Sequence, residues 1–300
     1  TGKPTFTADW SDTRELNFEN KEMQDSMINT MKFWVNKTKI DGFRVDVAWG
    51  VPNTFWTRCL QDLKSIRPLF FLAEADDAPL HNAGFDATYT WREYNVIKEV
   101  AAGKKDVTYL DSIFNTIDTS FMKGAWRLYF TSNHDENSWN KADYETMPGI
   151  VHAPFAVLAL TYNRTMPLIY SGQEEPVLRA IQFFEKDPIQ FIKYERAPFY
   201  TALLQLRNTN KAFRDQAQFK RLAVNNPKVI MAYQRVFEND KVVVVLNLSN
   251  KAQVVQLELN GQASKYKELF TGKQFSNIQN SALPPWGYQV FVKMNEAINR

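Results

Sequence analysis

The octapeptide Asp41-Gly42-Phe43-Arg44-Val45-Asp46-Val47-Ala48 reads as a strand with two unlike faces. Phe43, Val45 and Val47 point one way and Arg44 and Asp46 the other, as a period of two requires. A guanidinium and a carboxylate therefore share a face, and Arg44 favours the ionised form of Asp46. Burying such a pair on so apolar a strand is costly unless the site uses it. Taken alone, the octapeptide fits a satisfied Arg–Asp core pair equally well.

Two more carboxylates occupy the same kind of place. Leu69-Phe70-Phe71-Leu72-Ala73 runs into Glu74, and Trp126-Arg127-Leu128-Tyr129-Phe130-Thr131 runs into Ser132-Asn133-His134-Asp135. Asp46 and Glu74 are 28 residues apart, Glu74 and Asp135 61. A strand–helix–strand unit takes roughly 30 residues, so the steps correspond to one unit and two. Acids recurring at the C-terminal ends of strands in a βα series occupy the catalytic face of a (β/α)8 barrel. Singly, each is as readily a helix cap or a loop residue; in phase, the three favour a shared site.

Gly42-Phe43-Arg44-Val45-Asp46, Leu72-Ala73-Glu74-Ala75 and Phe130-Thr131-Ser132-Asn133-His134-Asp135 resemble three of the four short motifs of the α-amylase family, glycoside hydrolase family 13. Met166-Pro167-Leu168-Ile169-Tyr170-Ser171-Gly172-Gln173-Glu174 is similar to that family's last barrel strand and the turn after it.

Composition bounds the alternatives. With 300 residues, 44% hydrophobic and 14% aromatic, the chain suffices for one large domain or two ordinary ones. Its net charge is +3 and its Lys and Arg are scattered, with no basic stripe for nucleic acid. Cys59 is the single cysteine, so there is neither a disulfide framework nor a Cys–His metal spacing, and it reads as a buried small residue. No run approaches the roughly 18 apolar residues of a membrane helix. The chain opens at Thr1 rather than a methionine, so the lack of a signal peptide leaves the compartment unknown. The resemblance favours a secreted or extracytoplasmic setting.

Along the chain, residues 1–20 read as irregular. A helix follows with Met23, Met27, Met31 and Trp34 or Val35 on its apolar face, and a second with Phe55, Trp56, Leu60, Leu63 and Ile66 inward. Residues 84–89 include a short strand, Val96 to Val100 a helix, 109–122 a helix, Ala153 to Tyr162 an apolar helix, and Pro167 to Tyr170 a buried strand. Near residue 215 the character changes. Val242 to Leu248, Val254 to Leu259 and Tyr288 to Val292 are strand-like and punctuated by Gly and Pro, signals of a small all-β domain. The expected fold class is α/β: the C-terminal part of a (β/α)8 TIM barrel, about strands four to eight, over residues 1–214, then an antiparallel β-sandwich over 215–300. Residues 1–18 resemble the tail of the family's excursion after strand three. The first three strands and the first motif have no counterpart. A half barrel has open strand edges, which a longer protein, a second chain or a new mode of closure would satisfy.

The resemblance implies a retaining α-glycosidase on α-1,4-linked glucans such as starch, glycogen and maltooligosaccharides. It makes Asp46 the nucleophile, Glu74 the acid/base and Asp135 the third acid, holding ring hydroxyls with His134 beside it. The residues agree with that division. Arg44 holds charge on Asp46, and Glu74 follows an apolar run that tends to raise a carboxyl pKa. Retention would place the two carboxyls roughly 5–5.5 Å apart. Trp49, Tyr89, Trp91, Trp139 and Tyr170 are aromatics near strand ends that would either stack on sugars or pack in the core. Trp49-Gly50 stand where many α-amylases carry a Lys-His pair that contributes a calcium contact. The family's main calcium ligands also lack counterparts, so no metal site or cofactor is expected in this chain, and calcium stays open for a full-length protein. Two other readings remain, a transglycosylase on the same substrates and a non-catalytic glycan-binding fragment. A chain without the first half of the barrel is expected to have weak or no activity alone.

Overall fold

The computed structural model describes residues 13–259 and 264–294, so most of the segment likened to the family's excursion lies outside the described residues. The chain divides into two compact units: residues 1–91 with 118–127, and residues 92–117 with 128–300.

In the first unit, α1 (Lys21–Thr38) starts where the Asn20 side chain accepts the Met23 N–H at 3.2 Å. It leads into β1 (Gly42–Val45), α2 (Asn53–Lys64), β2 (Phe70–Ala73), the short α3 (Pro79–Asn82) and β3 (Ala87–Tyr89). The strands are parallel, with Gly42 opposite Phe70, Val45 opposite Ala73 and Ala73 opposite Thr88. Gly42 is obligatory, because a Cβ there would lie 1.7 Å from the Phe70 carbonyl oxygen. Phe55, Trp56, Cys59, Leu60 and Leu63 of α2 join Ile28 and Val35 of α1 and Phe71 of β2 in one core.

Three expectations need adjusting here. Ile28 and Val35 carry the buried face of α1, while Met27 and Met31 are only partly covered and Trp34 is exposed. Ile66 lies beyond the end of α2 and is exposed. The alternation of the opening octapeptide stops at Val45, because Val47 turns into the left-handed region at φ 46°. That is an unusual conformation for a β-branched residue.

α4 (Trp91–Ala101) and α5 (Val107–Ser120) follow, then β4 (Trp126–Tyr129). Within the first unit the Trp126 N–H donates to the Asp86 carbonyl at 3.3 Å. Within the second, Leu168, just past β5 (Thr165–Pro167), donates to the Tyr129 carbonyl at 2.8 Å. Between β4 and β5 lie α6 (His134–Trp139), α7 (Ala142–Thr146) and α8 (His152–Thr161). Asp135 thus sits in the first turn of a helix rather than at a strand end, and β5 stops before the expected Leu168–Tyr170.

After α9 (Ala197–Thr209) the second unit becomes antiparallel: β6 (Gln218–Arg221), β7 (Ile230–Phe237), β8 (Asp240–Asn247), β9 (Gln253–Gln256), β10 (Tyr266–Glu268), β11 (Gln274–Phe275), β12 (Asn280–Leu283) and β13 (Tyr288–Lys293). Six of these form a sheet in the order β11-β10-β13-β8-β7-β6, and β12 pairs with β9. β8 is apolar without alternation because both its faces are covered. Val243 and Val245 join Val255, Leu257 and Leu283 in one core, and α8 packs on β8 and β13. The same position explains why α8 is apolar all round. Its Thr161 hydroxyl meets the Tyr233 hydroxyl at 2.6 Å.

Leu63 is fully buried and Ile66 is not. Leu63→Ala should lose about 2–5 kcal/mol in denaturant unfolding, and Ile66→Ala about 0.5 kcal/mol or less. Equal losses would contradict this assignment of the α2 face.

Candidate active site

Parallel pairing of β1 and β2 ends with Val45 opposite Ala73, so the next residues, Asp46 and Glu74, leave adjacent strands together. The Glu74 N–H donates to the Val45 carbonyl at 2.9 Å, extending the ladder by one bond. Arg44 joins the two acids, with Nη1 on Asp46 Oδ1 and Nη2 3.0 Å from Glu74 Oε1. Its Nε donates to the Tyr89 hydroxyl at 3.4 Å, and Tyr89, buried at the end of β3, lies 5.4 Å from the Trp91 ring. Burial works against the Arg44 charge, but the bonds with Tyr89 and Asp46 more than offset it and raise its pKa.

The two carboxyls occupy unlike surroundings. The Asp46 side chain is 76% exposed and the Glu74 side chain 14%. Glu74 Oε2 accepts the Val47 N–H at 2.9 Å, a bond made available by the left-handed turn at that residue. Burial, with the neighbouring Asp46, raises the Glu74 pKa; the Val47 N–H and the Arg44 charge pull the other way and do not cancel it. Trp49 is exposed on the single helical turn that follows, Ala48–Gly50, whose Ala48 carbonyl accepts the Trp56 indole N–H at 3.0 Å.

The second unit carries the remaining predicted residues. Asn133 caps α6, its Oδ1 accepting the N–H groups of Asp135 at 3.0 Å and Glu136 at 2.8 Å. Lys98 pairs with Glu136 at 3.1 Å and helps fix the helix. His134 Nε2 and Asp135 Oδ2 are 3.5 Å apart, both partly exposed. Gln173 links the segment before the cap to the turn after β5, donating to Thr131 Oγ1 at 2.8 Å and accepting the Tyr170 N–H at 2.8 Å. Burial and the Asp135 charge raise the Tyr170 pKa. Among the described residues, Ser132 Oγ and Asn133 Nδ2 are buried with no hydrogen-bond partner, an unmet polar capacity next to the acid.

The structure therefore gathers Arg44, Asp46, Glu74, Tyr89 and Trp91 in one unit and His134, Asp135 and Tyr170 in the other. Val47 and Gln173 are additions that sequence reasoning missed. Nothing in a β-branched residue signals a left-handed turn, and Gln173 stood in a quoted motif without a role. Among the described residues no group of three or more His, Cys, Asp or Glu side chains could hold a metal ion. No helix among them is long and apolar enough to cross a membrane.

Comparisons with known proteins agree with this architecture. The family model "Alpha amylase, catalytic domain" matches residues 6–66 and "Maltogenic Amylase, C-terminal domain" residues 219–290. "Alpha-amylase 2" of Dictyoglomus thermophilum is 25% identical over 88% of this chain and 48% of its own length. For "Alpha-amylase MalA" of Haloarcula japonica the figures are 27%, 85% and 38%, and for "Cyclomaltodextrinase" of Thermoanaerobacter pseudethanolicus 26%, 89% and 48%. The chain thus spans about half or less of the length of these relatives. Among solved structures, an α-amylase from Lactobacillus plantarum superposes with a TM-score of 0.81 at 21% identity, covering 98% of this chain and 71% of its own. A noncanonic maltogenic α-amylase, AmyB, from Thermotoga neapolitana gives 0.80 at 21%, covering 98% and 68%. These likenesses establish the fold class: part of a (β/α)8 barrel followed by an antiparallel β region.

Glu74 binds its proton more firmly in the folded protein than in the unfolded chain. Its contribution to stability is complete below its ordinary value of 4.5 and is lost as pH rises through the raised value. Glu74→Gln should make the fall in unfolding free energy above about pH 4.5 shallower. A slope unchanged by the substitution would contradict the shift.

Proposed function

We propose that the chain belongs to the α-amylase family and that it carries the catalytic carboxylates of a retaining α-glycosidase acting on α-1,4-linked glucans. The observation that carries this reading is the Arg44 bridge between Asp46 and Glu74 at the ends of adjacent parallel strands. It gives two carboxyls different duties. Asp46, bonded to a guanidinium and open to solvent, is kept ionised for attack; Glu74, largely enclosed, retains a proton to deliver.

In the first step an Asp46 oxygen bonds to the anomeric carbon as the glycosidic C–O bond breaks. The Glu74 proton passes to the departing oxygen, leaving a glycosyl ester on Asp46. In the second step ionised Glu74 takes a proton from water, the hydroxide oxygen bonds to the anomeric carbon, and the ester C–O bond breaks with retention. Asp135 and His134 hold sugar hydroxyls. Trp49, Tyr89, Trp91 and Tyr170 contribute to substrate binding, Tyr89 through its hold on Arg44. We assign residues 1–214 to the catalytic barrel portion and 215–300 to the C-terminal β domain; family matches at 6–66 and 219–290, on either side of that division, support it.

Asp46→Asn in the parent protein should lower the release of reducing ends from maltooligosaccharides by at least about 10³-fold. Glu74→Ala should lose comparable activity on maltooligosaccharides but far less in the first turnover on α-glucosyl fluoride, read as a burst of fluoride, because that leaving group needs no proton; only the second step then slows for want of its base. Undiminished turnover by the Asp46 variant, or no fluoride burst from the Glu74 variant, would contradict the roles assigned.

A further inference from the structure

α6 begins with His134 and Asp135 and ends with Trp139, whose ring is exposed. Phe183 and Phe184 lie against it, with ring centroids 4.8 and 6.0 Å from Trp139 and 4.9 Å from each other. Phe184 is 83% exposed, so this is a cluster facing solvent rather than part of a core. The segment presenting the two phenylalanines is held in shape. Arg179 and Asp187 close it with a two-pronged bond of 2.5 and 2.6 Å, and the Gln182 N–H donates to the same carboxylate at 2.9 Å. Asn137, buried on α6, ties the helix to it, accepting the Ile181 N–H at 2.8 Å and donating to the Arg179 carbonyl at 3.3 Å.

An ordered loop that displays apolar rings to water gives up hydrophobic stabilisation, and contiguous exposed apolar patches mark binding surfaces. The chemistry narrows the occupant. Flat rings bind the apolar C–H faces of a pyranose while its hydroxyls stay in water. The same short helix joins the rings to the acid and histidine assigned to sugar hydroxyls, so one chain of linked sugars would reach both. We propose that Trp139, Phe183 and Phe184 form an aromatic platform for the more distant glucose units of an α-glucan whose reacting unit is held at Asp135. The proposal rests on the function put forward above and adds a subsite that favours long chains.

The test is calorimetric binding of maltotriose and maltoheptaose to the parent protein carrying Asp46→Asn to prevent turnover. Adding Phe184→Ala or Trp139→Ala should weaken maltoheptaose by about tenfold, one good ring contact, and leave maltotriose unchanged. Maltoheptaose affinity unaltered by either variant would overturn the platform and leave the proposed function intact. Equal losses for both sugars would also overturn the platform, by marking a general disturbance of the fold. No binding of either sugar before the ring substitutions would overturn the platform and the proposed function together.

Discussion

The arrangement depends on Arg44 standing between two carboxylates. Its guanidinium reaches Asp46 just past its own strand and Glu74 just past the neighbouring one, and Tyr89 at the end of the third strand accepts from its Nε. One cation thus bonds to the ends of three successive strands of the first unit. Remove it and two acids leaving adjacent strands would repel each other, with Glu74 largely buried. The pairing of Gly42 with Phe70, close enough to exclude any Cβ, fixes the register that makes the bridge geometrically available. A slip of one residue would send one acid to the opposite face.

Environment, rather than residue type, distinguishes the acids. Asp46 lies in the open beside the cation, whereas Glu74 is enclosed, with one oxygen on Arg44 and the other on the Val47 N–H. Val47 supplies that N–H from a backbone conformation its branched side chain disfavours. Strain of this kind persists where the surroundings hold it in place. Here the helical turn at Ala48–Gly50, bonded through Trp56 to α2, supplies that restraint.

Much of this was legible in the sequence because period and spacing carry it. The Arg44–Asp46 face, the acid after Ala73, the apolar α8 and the antiparallel run after residue 215 all follow from hydrophobic patterning. What escaped depended on tertiary contacts. Ile66 fits the helical period of α2 but falls after the helix has stopped. Asp135 follows an apolar strand closely, yet Asn133 caps a new helix before it, a signal present in the Asn-His-Asp-Glu order and outweighed by the strand. The left-handed Val47 left no trace in residue type. The contact of Phe183 and Phe184 with Trp139, more than forty residues away in the chain, is likewise a tertiary one.

The central claim is that Asp46 forms a covalent bond to the substrate, and trapping tests it directly. The parent protein would be incubated with a 5-fluoro-α-glucosyl fluoride, whose ring fluorine slows hydrolysis of the ester, then digested and analysed by mass spectrometry. The account predicts a single added glycosyl group on the peptide containing Asp46. Labelling at Glu74, or turnover with no carboxylate labelled, would contradict it.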